Sequence, residues 1–418
     1  MRYALTAFGG PQSHIGMMLK TFAQERKDVT EEELLEYNSF CQMLPGPSST
    51  QTIALVALKR GGIGLAIITL LIWIFPAVFL MGLVSFFVYK FQLQNTQSNL
   101  FTFIQPMTVG FIVYAAVKFT KKSVHHMATW AIMLGSIAVM LLFKSPWTFP
   151  LLLIAAGTVS NFSDRRIPEK IKKPMPIPWV NLWIFAIVFL VAGLLSEISR
   201  LQNWKHQDVF HIFENFYRFG SFVFGGGQVL LPLMILQFVN LPLLRNESPL
   251  ISASAITTGY GIVQAVPGPV FSVCAYIGGM IMSGYGWEWQ LIGILVATIA
   301  IFLPSSLILF FLFPVYQQLK QHVIIFRALE GILAAIVGVI WASGLLVVKD
   351  MELHWLNLAV IIATFILLYS NKIPAPIIVI ACLLGGYLYS LLFAFKQFNI
   401  LNQLIHFQTI GATVLSSH

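Results

Sequence analysis

Long apolar runs, broken at a few places by glycine and proline, set the pattern of this chain. Several stretches reach the roughly 17–18 apolar residues that a membrane-spanning helix needs, the clearest being 63–89, 101–119, 127–143, 179–195 and 331–348. Between them lie short polar loops and two kinds of interruption. The first is Phe8-Gly9-Gly10-Pro11, which recurs as Phe224-Gly225-Gly226-Gly227. The second is Pro45-Gly46-Pro47, which recurs as Pro267-Gly268-Pro269. Breaks in apolar helices free backbone polar groups, and within lipid such groups persist only around a protected cavity.

The recurrences keep their order. Phe8 matches Phe224 at a shift of 216 residues, the Pro-Gly-Pro motifs match at 222, and Pro76 matches Pro304 at 228, a shift that also places Val109-Gly110 on Val337-Gly338. Offsets this stable over a hundred residues mark an internal repeat. Each copy reads as two broken segments followed by four apolar spans. These are 63–89, 101–119, 126–143 and 147–161 in the first copy, and 289–315, 328–348, 354–370 and 374–395 in the second. The predicted fold is an all-α membrane protein with two inverted-topology repeats, its helices broken or re-entrant at the Gly-Gly and Pro-Gly-Pro motifs. The units are a first repeat (1–162), a basic linker with a connecting transmembrane helix at about 179–197 (163–207), a second repeat (208–395) and a tail (396–418).

Inversion follows from parity. Four spans plus the connecting helix make an odd number, provided the two broken segments return the chain to its starting side. Basic residues agree: Lys59-Arg60, Lys118, Lys121, Lys122 and the linker's Arg165, Arg166, Lys170, Lys172 and Lys173 fall on one side, which the positive-inside rule makes cytoplasmic. The intervening loops carry only Lys90 and Lys144, and in the second copy the bias flips, with Lys320 and Arg327 in the loop matched to the poor one at 90–100.

Composition supports this reading: 57% of residues are hydrophobic and 10% charged, mean hydropathy is +0.81, and ordinary soluble domains carry roughly 25% charge. The formal net charge of +9 sits in short loops, where topology rather than nucleic acid accounts for it. Cys41, Cys274 and Cys382 lack CxxC spacing and read as small core residues, with no disulfide, metal site or cofactor implied. No cleavable signal is evident, because Gly9-Gly10-Pro11 interrupts the opening segment.

The motifs point toward anions. Proline and glycine exclude Pro45-Gly46-Pro47 and Pro267-Gly268-Pro269 from helix interiors, so each precedes a helix N-terminus, where free N–H groups and a partial positive charge attract anions. Ser48 and Ser49 suit a cap in the first copy; Val270 does not in the second. Gly9-Gly10-Pro11 and Gly225-Gly226-Gly227 are expected to act alike, with simple helix kinking as the alternative. Arg2 and Arg218 match at 216, either facing an oxyanion or snorkelling to headgroups. Gln12 with Gln228 and Gln42 with Gln264 are matched amides that either bind ligand or staple helices. His14 has no counterpart and either titrates, binds the anion or serves as a structural hydrogen-bonder. Glu25, Glu214 and Glu330 are the proton-carrier candidates, with an interfacial or loop position as the alternative for each. Glu31-Glu32-Glu33 reads as the first turn of a helix capped by Thr30. The four aspartates, Asp28, Asp164, Asp208 and Asp350, all fall in predicted loops, against a buried carboxylate cation site.

With these residues in place the chain resembles the chromate ion transporter family in its two-domain, long-chain form. The resemblance rests on FGGPxxHIG, on KDVTEEEL leading to QMLPGP, and on FGGGxxLLP and QAVPGP in the second copy. It implies proton-coupled chromate efflux across a bacterial inner membrane, conferring chromate resistance, with sulfate as a competing isostere. Two departures stand out: the second copy has the lead-in HQDVFHIFENFYRF whereas the first opens almost on its motif, and Lys27-Asp28 stand where a tryptophan is expected. The expected partners are the oxyanion, protons, membrane lipid and a second copy of the chain as a homodimer. Competing functions are an oxyanion channel, sulfate uptake, or an intramembrane enzyme on lipid phosphates. The last lacks clustered carboxylates or a nucleophile–base pair at matched positions.

Overall fold

In a computed structural model of the protein, residues 2–8, 10–93, 101–143, 148–160, 179–224, 226–319, 323–349, 351, 354–370 and 372–390 are described. The loop 94–100, Lys144, the basic linker 163–178, Lys320, Asp350 and the tail 396–418 lie outside the described residues, as do Gly9, Gly225 and the side chains of Arg2, Pro11, Gln12 and Arg327. The described residues are mostly helical, without a strand.

Chain order begins with a short α1 (Arg2–Thr6), then α2 (Gly10–Met18), which continues as a π-helical stretch Leu19–Glu25, and α3 (Glu31–Gln42). Thr30 caps α3 through a full capping box with Glu33, as Thr-Glu-Glu-Glu predicts. Four apolar helices follow: α4 (Ser48–Leu93), α5 (Ile104–Ser123), α6 (Met127–Leu142) and α7 (Thr148–Ser160). Helix α4 is broken at Gly61–Gly62, where its short first part meets its long spanning part. The connecting helix is α8 (Trp179–Leu201).

The second half repeats the plan with α9 (Asp208–Phe222), α10 (Leu230–Ile235), α11 (Leu241–Leu244), α12 (Ala253–Val263) and α13 (Val273–Met282). Its long helices are α14 (Trp287–Leu319), α15 (Val323–Lys349), α16 (Trp355–Tyr369) and α17 (Ala375–Ser390). Helices thus stand where the apolar runs predict them. Asp208 is the one correction among the described aspartates: it opens α9 rather than lying in a loop, a favourable place for a negative charge at a helix N-terminus.

Among the described residues, five helices are long and apolar enough to cross a membrane. Their outward faces agree: Ile68, Leu71, Phe75, Phe79 and Phe87 on α4, and Val180, Trp183, Ile187, Leu190 and Leu194 on α8, are exposed. An apolar belt of that extent is stable only against lipid or another apolar surface. Charge collects elsewhere. Lys59 bonds Glu33 at 2.6 Å, and Asp28 pairs with both Arg26 and Arg60. The hydrogen bond from Lys59, helped by the Thr30 amide, holds the Glu33 carboxyl below the ordinary carboxylate range.

The two halves interlock by exchanged contacts. Helix α13 is wholly buried and packs on α14 and on α4 of the other half, while α15 packs on α5, α6 and α7. Two glycines show the exchange. Gly110 on α5 abuts Thr364 and the Ile361 carbonyl on α16, and Gly338 on α15 abuts Ser136 and the Met133 carbonyl on α6. Gly338 is Gly110 shifted by 228, and Thr364 is Ser136 shifted by the same number. A contact between i and j′ paired with one between i′ and j is what a two-fold relation generates.

These positions have no room for a side chain. Gly110→Val and Gly338→Val should each destabilise the purified protein by about 1–3 kcal/mol through overpacking. Gly135→Val, where an added Cβ meets nothing within 4 Å, should not. Thermal midpoints in detergent measure this; equal midpoints for all three variants would contradict the exchanged packing.

Candidate functional site

The Pro-Gly-Pro motifs lie between α3 and α4 and between α12 and α13. Gly46 has φ +107° and Gly268 φ +121°, conformations that glycine adopts readily and L side chains do not. So turned, each amide reaches across to the other half. The Gly46 N–H donates to the Val223 carbonyl at 2.7 Å, and the Gly268 N–H donates to the Ala7 carbonyl at 3.0 Å. Ala7 and Val223 match at 216, Gly46 and Gly268 at 222, so one bond is made twice. Each acceptor stands two residues before a Gly-Gly motif. Each glycine also lies against the long helix of the opposite half: a Cβ on Gly46 would run into Ser305 of α14, and one on Gly268 would approach Ala77 of α4. Ala77 and Ser305 match at 228.

Beside the Gly46 bond lies a cavity of about 80 Å³. Gln42, Gly46 and Ser48 of the first half line it together with Gly226 of the second, and Ile15, Cys41, Lys122 and Ser123 complete much of its wall. Ser48 opens α4, so the cavity sits at a helix N-terminus whose first-turn amides have no intrahelical partners. Gly226 has φ +104° and precedes the 3-10 turn Gly227–Val229 that leads into α10. Gly227 itself packs on Val270, behind the second Pro-Gly-Pro.

His14 lies deeper, 1% exposed. Its Nε2 bonds the Ala7 carbonyl at 3.1 Å and its Nδ1 meets Ser49 Oγ at 3.2 Å. Because a carbonyl only accepts, Nε2 carries the proton and Nδ1 accepts from the Ser49 hydroxyl. The ring packs edge-on to Trp73, whose Nε1 donates to Thr50 Oγ1 at 3.0 Å. His14 therefore ties the carbonyl that receives Gly268 to the start of α4, with both ring nitrogens engaged.

Other expected site residues stand apart from the cavity. Arg218 and Glu214 form an ion pair on α9 at 3.4 Å, and Arg218 also donates to Asn215 Oδ1 at 2.6 Å. Arg218 lines a separate small pocket beside Phe149 and Pro150 of α7 and Gln237. Glu25 is exposed at the end of the π-helical stretch. Glu330 pairs with His126 at 3.5 Å, between α15 and the start of α6. Gln264 ends α12 against the Tyr260 hydroxyl, flanking Pro267 and Pro269. The Gln228 Oε1 is buried with no partner among the described residues.

Two polar residues at the junction had no distinguishing signal in the sequence. Gln51, 2% exposed, donates to the Pro45 carbonyl at 2.7 Å and braces the first Pro-Gly-Pro. Lys122 donates to Gln42 Oε1 at 2.8 Å on the cavity wall; in sequence it is one of three lysines that topology alone accounts for.

Buried, interlocked broken helices inside an apolar belt define a multi-pass all-α membrane protein. The chain belongs to the chromate transporter family, whose profile matches residues 1–161 and 210–387. It is 25% identical over 391 residues to an uncharacterised transporter of Methanocaldococcus jannaschii, covering 93% of this chain and 92% of that protein. It is also 25% identical over 399 residues to the chromate transport protein of Cupriavidus metallidurans, covering 94% and 92%. An uncharacterised transporter of Bacillus subtilis is 27% identical over 184 residues, which are 42% of this chain but 94% of that relative. A protein of about half the length thus matches 42% of the chain along nearly all of its own. No solved structure matches the chain.

With both nitrogens of His14 satisfied, His14→Ala strips the Ser49 hydroxyl of its acceptor and leaves the Ala7 carbonyl with the Gly268 N–H alone. The expected cost is about 1–3 kcal/mol of stability, read as a lower thermal midpoint, with the pH dependence of anion binding unchanged. A shifted pH profile at unchanged stability would make His14 a titrating group instead.

Proposed function

We propose that the protein is a secondary transporter of tetrahedral oxyanions, chromate foremost, exporting its substrate across a bacterial inner membrane in exchange for protons. The observation that carries this reading is the cavity in which Gly46 and Ser48 of one half meet Gly226 of the other. Backbone amides at a glycine turn and at a helix N-terminus can replace the water shell of a dianion. At about 80 Å³ the space is large enough for several waters, and so for one small ion. The family, and the name of the Cupriavidus relative, favour chromate among such ions; sulfate is the natural competitor.

The halves are read as inverted repeats. The exchanged contacts of Gly46 and Gly268 and of Gly110 and Gly338 support a two-fold relation, and the odd number of spans between the copies puts its axis in the membrane plane. Inverted repeats meeting at broken helices suit alternating access, one half rocking on the other around a central site. Glu214, paired with Arg218 on the helix that leads to Val223, is the best placed of the three candidate proton carriers. Protonating its carboxylate releases Arg218 and offers a link between proton and substrate.

Radiolabelled chromate uptake into inside-out vesicles tests this directly. Uptake should be stimulated by a proton gradient and reduced at least tenfold in Gly46→Ala and Gly268→Ala, since a Cβ at either left-handed turn runs into the opposite helix and strains the backbone, a cost that exceeds about 1.4 kcal/mol. Ser48→Leu, which fills the cavity without touching the turn, should act likewise in a protein that still folds. Gradient-independent flux would indicate a channel, and wild-type uptake by all three variants would place the site elsewhere.

A further inference from the structure

We infer that Lys122 is the substrate's counter-charge, a specificity-determining residue that leaves Gln42 for the anion when the anion binds. The inference rests on the proposed oxyanion site and deepens it. Lys122 closes α5 and lines the same cavity as Gly46, Ser48 and Gly226. Backbone amides favour anions over cations but discriminate poorly between one charge and two; an ammonium adds a full positive charge at the wall.

The other cations at hand are differently engaged. Lys59 is taken by Glu33, Arg26 and Arg60 share Asp28, Arg200 holds Glu197, and Arg218 holds Glu214. On α5 itself, Lys118 donates to the Tyr114 hydroxyl and Lys121 to the Tyr369 hydroxyl. The Lys122 ammonium bonds a neutral amide oxygen, Gln42 Oε1, at 2.8 Å, and no carboxylate pairs with it among the described residues. Its charge is therefore held in place without being neutralised. A charge-assisted bond to a dianion is stronger than one to an amide, so an entering oxyanion displaces Gln42. That exchange frees the end of α3, the residue just ahead of Met43-Leu44-Pro45, and gives substrate binding a mechanical handle on the Pro-Gly-Pro turn.

The sequence position explains the specificity this predicts. The residue matched to Lys122 at a shift of 228 is Asp350, so the duplicated plan supplies the cation on one side only. One ammonium placed asymmetrically favours a doubly charged ion over a singly charged one of equal size, and leaves neutral molecules without a partner.

Chromate binding to the purified full-length protein, measured by calorimetry at fixed ionic strength, tests the inference with perchlorate as a singly charged tetrahedral probe. Lys122→Gln should weaken chromate binding about tenfold or more, the range for a hydrogen bond between charged groups, while perchlorate changes less. Lys122→Arg should restore most of the affinity. Gln42→Glu keeps, and strengthens, any staple between α3 and α5 but neutralises the ammonium, so it should weaken chromate binding as Lys122→Gln does. Loss in Lys122→Gln with full binding in Gln42→Glu would make Lys122 a staple and overturn the inference. Wild-type affinity in Lys122→Gln, with binding lost in Ser48→Leu, would overturn it while leaving the oxyanion site standing; wild-type affinity in both would remove the site as well.

Discussion

Two backbone hydrogen bonds organise this protein: Gly46 to the Val223 carbonyl and Gly268 to the Ala7 carbonyl. Both cross from one half of the chain to the other, both depend on a left-handed glycine between two prolines, and both end beside a Gly-Gly break. The physical constraint behind them is severe. An interrupted helix inside an apolar belt leaves amides and carbonyls that lipid cannot satisfy, and each half meets that demand with the orphan groups of the other. Neither half completes its own junction. The same reciprocity places Ser305 and Ala77 against these glycines, and Thr364 and Ser136 against Gly110 and Gly338.

Satisfying the orphan groups crosswise also creates the candidate site. Where the first turn of α4 begins, Ser48 and Gly46 face Gly226 across a small cavity, and the missing side chains let any occupant approach the backbone closely. Around this polar centre the packing is apolar and tight. Tyr3 stacks on Trp73 with ring centroids 5.1 Å apart, and His14 and Thr50 hold the same indole from its edge and its nitrogen. The proposed binding surface and the structural brace are thus adjacent but distinct sets of residues: amides and a lysine at the cavity, His14, Gln51 and Trp73 behind it.

Much of this was legible in the sequence. The apolar runs locate α4 to α8 and α14 to α17, Thr30 and Glu33 announce the start of α3, and the three matched offsets foretell which positions are equivalent. What the sequence withheld were pairings set by three-dimensional approach. His14 bonds partners 7 and 35 residues away, which no local pattern encodes. Lys122 hides in a basic cluster that the positive-inside rule already explains. Arg218 matched Arg2 and so suggested a ligand contact, yet its spacing from Glu214, four residues earlier on one helix, favours the ion pair that forms. Arginine in an apolar segment needs a partner, and the nearest carboxylate is a local one.

The central claim is that an oxyanion sits where the two halves exchange their backbone bonds. A structure determined with selenate, a tetrahedral dianion whose heavy atom reveals its own position, tests it most directly. The account predicts selenium in the cavity bounded by Gly46, Ser48 and Gly226, within hydrogen-bonding reach of the Ser48 and Gly226 amides. Selenate bound at another place, with this cavity unoccupied, would contradict it.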